Sequence, residues 1–132
     1  MPNEVVIKVD KATVFDSKLE ADVKKAARKA AESEAKGKLE GKYFIKLTPT
    51  LKFDEESRMI VSTCGWKVYE GSESMIFERL KQTKFSTGSA TVNPAKITQH
   101  NLDDAVGGAA GTEVAGIMKS LKVMEEMDKK KK

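Results

Sequence analysis

The chain is poor in the residues that build most catalytic and metal centres. Its 132 residues include one cysteine, Cys64, and one histidine, His100. A single cysteine excludes an internal disulfide and a cysteine-based zinc site, and a single histidine excludes a histidine-rich metal centre. Cys64 lies in an apolar strand pattern and His100 has no evident partner, so we assign no catalytic residue, metal ligand or cofactor. The sequence therefore favours a non-catalytic protein, but an enzyme stays an open alternative.

Long apolar runs are also missing. No stretch approaches the roughly 18 apolar residues that a membrane-spanning helix needs. The N-terminal Met-Pro-Asn-Glu is not followed by the apolar core of a signal peptide. We therefore expect a soluble, cytoplasmic protein with no membrane span, and a signal peptide removed from its N-terminus stays an open alternative.

The body of the chain has no excess of charge of either sign. The formal net charge is +4, but four of the 24 basic residues form the terminal run Lys129–Lys132, and the other 20 equal the acidic residues in number. We expect residues 1–127 to form a single domain and residues 128–132 to be a disordered lysine-rich tail. Such a tail adds only non-specific affinity for phosphates, so we do not expect specific nucleic-acid binding.

The first third of the chain has the pattern of a strand followed by a helix. Residues 4–15 alternate between apolar and polar, which predicts a half-buried strand with a bend or bulge near Lys11. Ser17 and Glu20 have the spacing of a capping box, so we expect a helix to begin there and to end near Gly37. Charged residues fill most of this helix, and we interpret them as a solvent-exposed face.

The middle of the chain has the period of two that is typical of strands. Residues 43–53 alternate around Pro49, which predicts an edge position or a bend because proline cannot donate to a ladder. Residues 59–69 are partly apolar on both faces, which indicates a central strand. Residues 75–84 fit either a strand or a short helix, and residues 85–92 fit a polar strand.

A second long helix ends the chain, capped by Thr98 or Asn101. The element order β-α-β-β-β(-β)-α predicts an α+β fold. We expect an antiparallel sheet of about four to five strands, packed on one face by the two long helices.

The last helix is unusually rich in small residues. Glycine in a helix interior costs roughly 1 kcal/mol relative to alanine, so these glycines indicate close backbone approach or a broken helix. Three arrangements are open: the two helices pack together, the last helix packs on a second copy of the chain, or it breaks near Gly107 and Gly108. The residues expected at a helix-packing or dimer interface are Ala26, Ala30, Gly107, Gly108, Gly111 and Ala115.

An alternative interpretation places an apolar pocket between the sheet and the last helix. Glu113 is the one carboxylate beside the apolar stripe of that helix, and we expect it to reach solvent from the border. The residues that could line such a pocket are Tyr43, Phe53, Trp66, Glu113 and Met118.

The leading hypothesis is a non-catalytic interaction module that acts through protein contacts and self-associates as a homodimer. The alternative is a carrier of a small apolar ligand, or an enzyme, that uses the pocket. Fold class alone does not choose between them.

Overall fold

A computed structural model describes residues 4–36, 39, 41–70, 74–79, 85–86 and 92–130. Strands β1 (Glu4–Val9) and β2 (Thr13–Val14) precede a 3-10 turn (Ser17–Leu19) and helix α1 (Glu20–Glu34). Strands β3 (Lys42–Asp54), β4 (Met59–Glu70), β5 (Ser74–Arg79) and β6 (Phe85–Ser86) follow. The C-terminal helix consists of α2 (Gln99–Leu102), a π-helical segment (Asp103–Gly107) and α3 (Gly108–Lys130), which join end to end.

The sheet is mixed, and the expectation of an antiparallel sheet is wrong. Its order is β1-β3-β4-β5, with β2 beside β3 and β6 beside β4. Strands β1 and β2 both run parallel to β3, whereas β4 is antiparallel to β3 and to β5. The reason is the helix between β1 and β3, because a crossover helix returns the chain to the same end of the sheet. The α+β class and the two long helices are as expected.

Pro49 lies in a central strand, not on an edge as one alternative predicted. Its neighbour on one side is Cys64 of β4. On the other side it faces the interval between β1, whose pairing ends at Leu47, and β2, whose pairing starts at Thr50. Asp10 donates its backbone N–H to the Leu47 carbonyl at 3.0 Å, so the backbone groups of Leu47 and Pro49 point to this side. No strand pairs with position 49 on this side, so the lack of an N–H in proline costs the sheet no hydrogen bond.

The buried face of the sheet carries the core. Alternate residues of β3 and β4 are fully buried, including Ile45, Leu47 and Val68, while those between them are partly exposed. Helix α1 packs on β1 and β3, the π-helical segment packs on β4, and α1 packs along the C-terminal helix. Both helices thus lie on the same face of the sheet.

The ends of the first helix differ from those expected. Asp16, not Ser17, accepts a backbone N–H at the first turn, at 3.0 Å from Lys18 N. Helix α1 itself spans Glu20–Glu34 and ends before the predicted Gly37, which lies outside the described residues. The start of the C-terminal helix is as expected, because Thr98, one of the two predicted caps, closes it in a capping box with Asn101.

The C-terminal helix is continuous, so of the three open arrangements the break near Gly107 and Gly108 does not occur. A π-helical turn that ends at Gly107 takes the place of the break. The helix also continues to Lys130, into the segment that we expected to be a tail.

Candidate functional site

The five residues of the predicted pocket do not all lie together. Tyr43 and Phe53 are on the same strand, ten residues apart, which is about 33 Å of extended chain. The Tyr43 hydroxyl donates to Glu125 at 2.6 Å, whereas Phe53 packs on Phe15 with 6.1 Å between ring centroids. These two residues therefore cannot line one small pocket.

Trp66 and Glu113 do come together. The indole N–H of Trp66 donates to Glu113 Oε2 at 2.8 Å, and Glu113 is only 4% exposed. Glu113 is therefore buried, and the expectation that it reaches solvent from the helix border is wrong. Met118, the fifth residue, is also buried on α3.

Cys64 lies beside this pair on β4 and is fully buried. Burial, reinforced by the charge of Glu113, raises the pKa of the Cys64 thiol to about 12. The thiolate is the nucleophilic form of cysteine. Cys64 therefore stays protonated and unreactive at neutral pH.

The small residues divide between an inner and an outer side of the C-terminal helix. A Cβ atom built on Gly107 would lie 3.6 Å from the Ala30 Cβ atom, and one on Gly111 would lie 3.7 Å from it. Ala26 is buried on α1, and Gly108 is partly buried. Ala115, by contrast, is exposed.

A groove runs along the outer edge of β1, where the sequence predicted no site. It has a volume of about 980 Å³ and lies between β1 and the exposed side of α1. From the sheet it is lined by Val6, Ile7, Lys8, Val9 and Phe44. From α1 and the turn after it come six charged residues, Lys24, Lys25, Arg28, Lys29, Glu32 and Lys36.

The floor of the groove offers unpaired backbone groups. Strand β1 pairs with β3 on one side only. Asp10 donates its backbone N–H to the Leu47 carbonyl of β3. The hydrogen-bonding groups of successive residues in a strand point to opposite sides, so the backbone N–H and C=O of Lys8 also point toward β3. The N–H and C=O groups of Val5, Ile7 and Val9 therefore point away from the sheet. Within the described ranges of the chain, no backbone hydrogen bond reaches them.

The charge of the groove is strongly positive. Among its lining residues are six cations and one carboxylate, that of Glu32. Arg28 lies 3.5 Å from Glu32, and Lys24 lies 3.6 Å from Glu20. Within the part of the chain that the structure describes, the remaining four cations, Lys8, Lys25, Lys29 and Lys36, have no ion pair.

Sequence reasoning missed this groove because it treated the charged face of the first helix as an ordinary solvated surface. Two signals could have located it. The basic residues of that helix gather on one side, and the order strand, helix, strand predicts that the first strand lies parallel to the next and next to the helix. Both signals depend on the helix being a crossover.

Among the residues that the structure describes, no group of three or more histidine, cysteine, aspartate or glutamate residues could hold a metal ion. No helix in the same ranges is both long enough and apolar enough to cross a membrane.

Comparisons with known proteins add little. No protein-family model and no curated protein matches the chain. A crystal structure described as a "putative lipoprotein" from Caulobacter crescentus is similar over 89% of this chain and 88% of its own. The two share 12% sequence identity and superpose with a TM-score of 0.44. A likeness at this level carries no argument about function or location.

Proposed function

We propose that this protein is a non-catalytic interaction module that binds an extended segment of a partner protein along the free edge of β1. The observation that carries the proposal is an edge strand with outward backbone groups lying in a preformed groove. An extended peptide can add to such an edge as one more strand, with main-chain hydrogen bonds supplying affinity.

The length of the edge defines the size of the bound segment. Strand β1 has six residues, which corresponds to about 20 Å of extended chain. A segment of five or six residues could pair with the outward groups of Val5, Ile7 and Val9. Exposed edges of this kind also promote unwanted pairing, and lysine side chains along them are a common protection. Lys8 lies on this edge, so the groove is suited to selective rather than indiscriminate pairing.

Self-association, the expected mode of interaction, finds little support at this edge. Two copies that paired through β1 would bring their unpaired cations, Lys25 and Lys29 among them, close together, which is unfavourable. The glycines that suggested a homodimer, Gly107 and Gly111, already pack on Ala30 within the chain. We therefore propose a different protein as the partner.

The non-catalytic part of the proposal is supported by the surroundings of the two residues best suited to catalysis. Cys64 is buried with a raised pKa. The side chain of His100 is 83% exposed and lies 3.2 Å from Asp104. The pocket of the alternative function, for an apolar ligand, gains no comparable support, because Tyr43 and Phe53 lie too far apart to line one pocket.

A peptide library tests the proposal. Random decapeptides displayed on phage would be selected on the native protein and then measured against two variants, Val9→Pro and Val9→Ala. Proline at this position removes an outward N–H without removing a ladder bond to β3. Alanine removes a similar amount of side-chain packing and keeps the N–H, so it is the matched control.

We expect the native protein and Val9→Ala to bind the selected peptides and Val9→Pro to bind them about tenfold more weakly, the loss of roughly one hydrogen bond. Thermal unfolding of both variants verifies that they are folded. Failure to enrich any peptide, or equal binding by the two variants, would contradict strand addition at β1.

A further inference from the structure

The wall of the groove on the α1 side places cations along the free edge of β1. We infer that the segment bound there is acidic, with a carboxylate at every second residue on the side that faces α1. The inference rests on the proposed strand addition and adds to it the chemistry of the partner.

The charge left over in the groove is the first support. Glu32 and Glu20 each neutralise one cation, and the four others have no ion pair in the described part of the chain. Lys8, Lys25, Lys29 and Lys36 are all exposed along the groove. A ligand of opposite charge would be attracted, and one of like charge would be rejected.

The spacing of these cations is the second support. Lys25 and Lys29 are four residues apart on α1, which corresponds to a rise of about 6 Å along the helix axis. Alternate residues of a strand lie about 6.8 Å apart on one face. The two repeats nearly match, so carboxylates at every second residue of an added strand meet successive lysines. Lys36, in the turn after α1, also lines the groove and adds a further cation beyond Lys29.

The outward backbone groups on the floor of the groove favour a peptide over other anionic ligands. A phosphate polymer would meet the same lysines, and its oxygens could accept the N–H groups of Ile7 and Val9. It has no regularly spaced donors for the carbonyl groups of these residues, whereas a peptide backbone supplies both donors and acceptors. The combination of an open strand edge with cations therefore favours an acidic extended peptide over a nucleic acid.

Labelled peptides test the inference by fluorescence polarisation. The probe is a blocked heptapeptide that alternates threonine with glutamate, and the controls replace every glutamate with glutamine or with lysine. A single-stranded deoxythymidine decamer serves as the anion without a peptide backbone. We expect the glutamate peptide to bind at least about tenfold more tightly than the glutamine peptide, and more weakly as salt is added.

Charge-reversal variants locate the binding. The double variant Lys25→Glu/Lys29→Glu removes two groove cations and should weaken binding of the glutamate peptide by about tenfold or more. The matched control, Lys119→Glu/Lys122→Glu, reverses two exposed lysines of α3 outside the groove and should leave the affinity unchanged. Equal losses in the two double variants would overturn the inference, because they would indicate general attraction to a cationic protein.

The outcomes distinguish the inference from the function on which it rests. If the glutamine or lysine peptide binds as tightly as the glutamate peptide, and Val9→Pro weakens each of them, strand addition stands and the acidic partner is overturned. If the glutamate peptide binds in the groove but Val9→Pro and Val9→Ala bind it equally, strand addition fails. Competition by the deoxythymidine decamer at equal affinity would overturn the inference in favour of a nucleic acid.

Discussion

Ala30 of α1 lies directly against Gly111 of α3. A Cβ atom built on Gly111 would sit 3.7 Å from the Ala30 Cβ atom, an ordinary contact distance. Small residues thus let the two helices approach, but the space between them admits one more methyl group. Close approach alone does not require glycine here.

The glycines of the last helix therefore give the first prediction. Gly116 has no atom within 4 Å of a built Cβ, so Gly116→Ala should raise the free energy of unfolding by about 0.5–1 kcal/mol. Gly111→Ala should be neutral or stabilising, whereas Gly111→Leu should overpack the buried contact and cost about 1–3 kcal/mol. Urea denaturation measures all three. Marked destabilisation by Gly111→Ala would show that the helices are closer than the structure places them.

The hydrogen bond between Trp66 and Glu113 gives the second prediction. Trp66→Phe keeps an aromatic ring but removes the N–H that donates to a buried carboxylate. We expect the free energy of unfolding to fall by about 1–3 kcal/mol. The double variant Trp66→Phe/Glu113→Gln should recover part of this loss, because a neutral amide is less costly to bury than a carboxylate. Strictly additive effects of the two substitutions would argue against a direct interaction.

The third prediction concerns alkaline pH. Burial and the charge of Glu113 raise the pKa of Cys64 from 9.0 to about 12. The folded protein therefore keeps the thiol proton while the unfolded chain loses it, so this contribution to stability is complete below pH 9 and is lost as the pH rises toward 12. Between pH 8 and pH 10 the native protein should lose about 1.4 kcal/mol more than Cys64→Ala does. Parallel pH profiles of the two proteins in urea denaturation would contradict this.

The fourth prediction concerns the attachment of the C-terminal helix to the start of β3. Glu125 Oε2 accepts hydrogen bonds from the Tyr43 hydroxyl at 2.6 Å and from the Gly41 backbone N–H at 2.8 Å. Glu125→Ala removes both bonds and should cost about 1–3 kcal/mol, with faster hydrogen exchange near the end of α3. Glu126→Ala, a change at its exposed neighbour, is the control and should have little effect. Similar losses in both variants would indicate that helix propensity, not the bonds, matters.

The sequence predicted the elements of this fold better than their arrangement. Period-two alternation located β3 and β4, because each has one face in the core and so a strong hydrophobic contrast. The direction of β1 was missed, since alternation is the same in a parallel and an antiparallel strand. The position of Pro49 could not be predicted for a related reason. A proline is tolerated in this central strand because it faces the gap between β1 and β2, and the sheet order that creates this gap is not visible in the sequence.

The candidate site could be predicted even less. Helical spacing shows that Lys25 and Lys29 share a face, but it gives no sign that a free strand edge lies beside them. The opposite error occurred for the pocket, where Tyr43 and Phe53 share a sheet face in the sequence pattern and yet are about 33 Å apart along the strand. A shared face does not mean a shared site.

Hydrogen exchange followed by NMR tests strand addition at β1 most directly. In the free protein the amides of Ile7 and Val9, which point away from the sheet, should exchange quickly, while those of Lys8 and Asp10 are protected by β3. Adding the alternating glutamate peptide should slow exchange at Ile7 and Val9 and leave Lys8 and Asp10 unchanged. Slow exchange at Ile7 and Val9 before any peptide is added, or no slowing by bound peptide, would contradict the account.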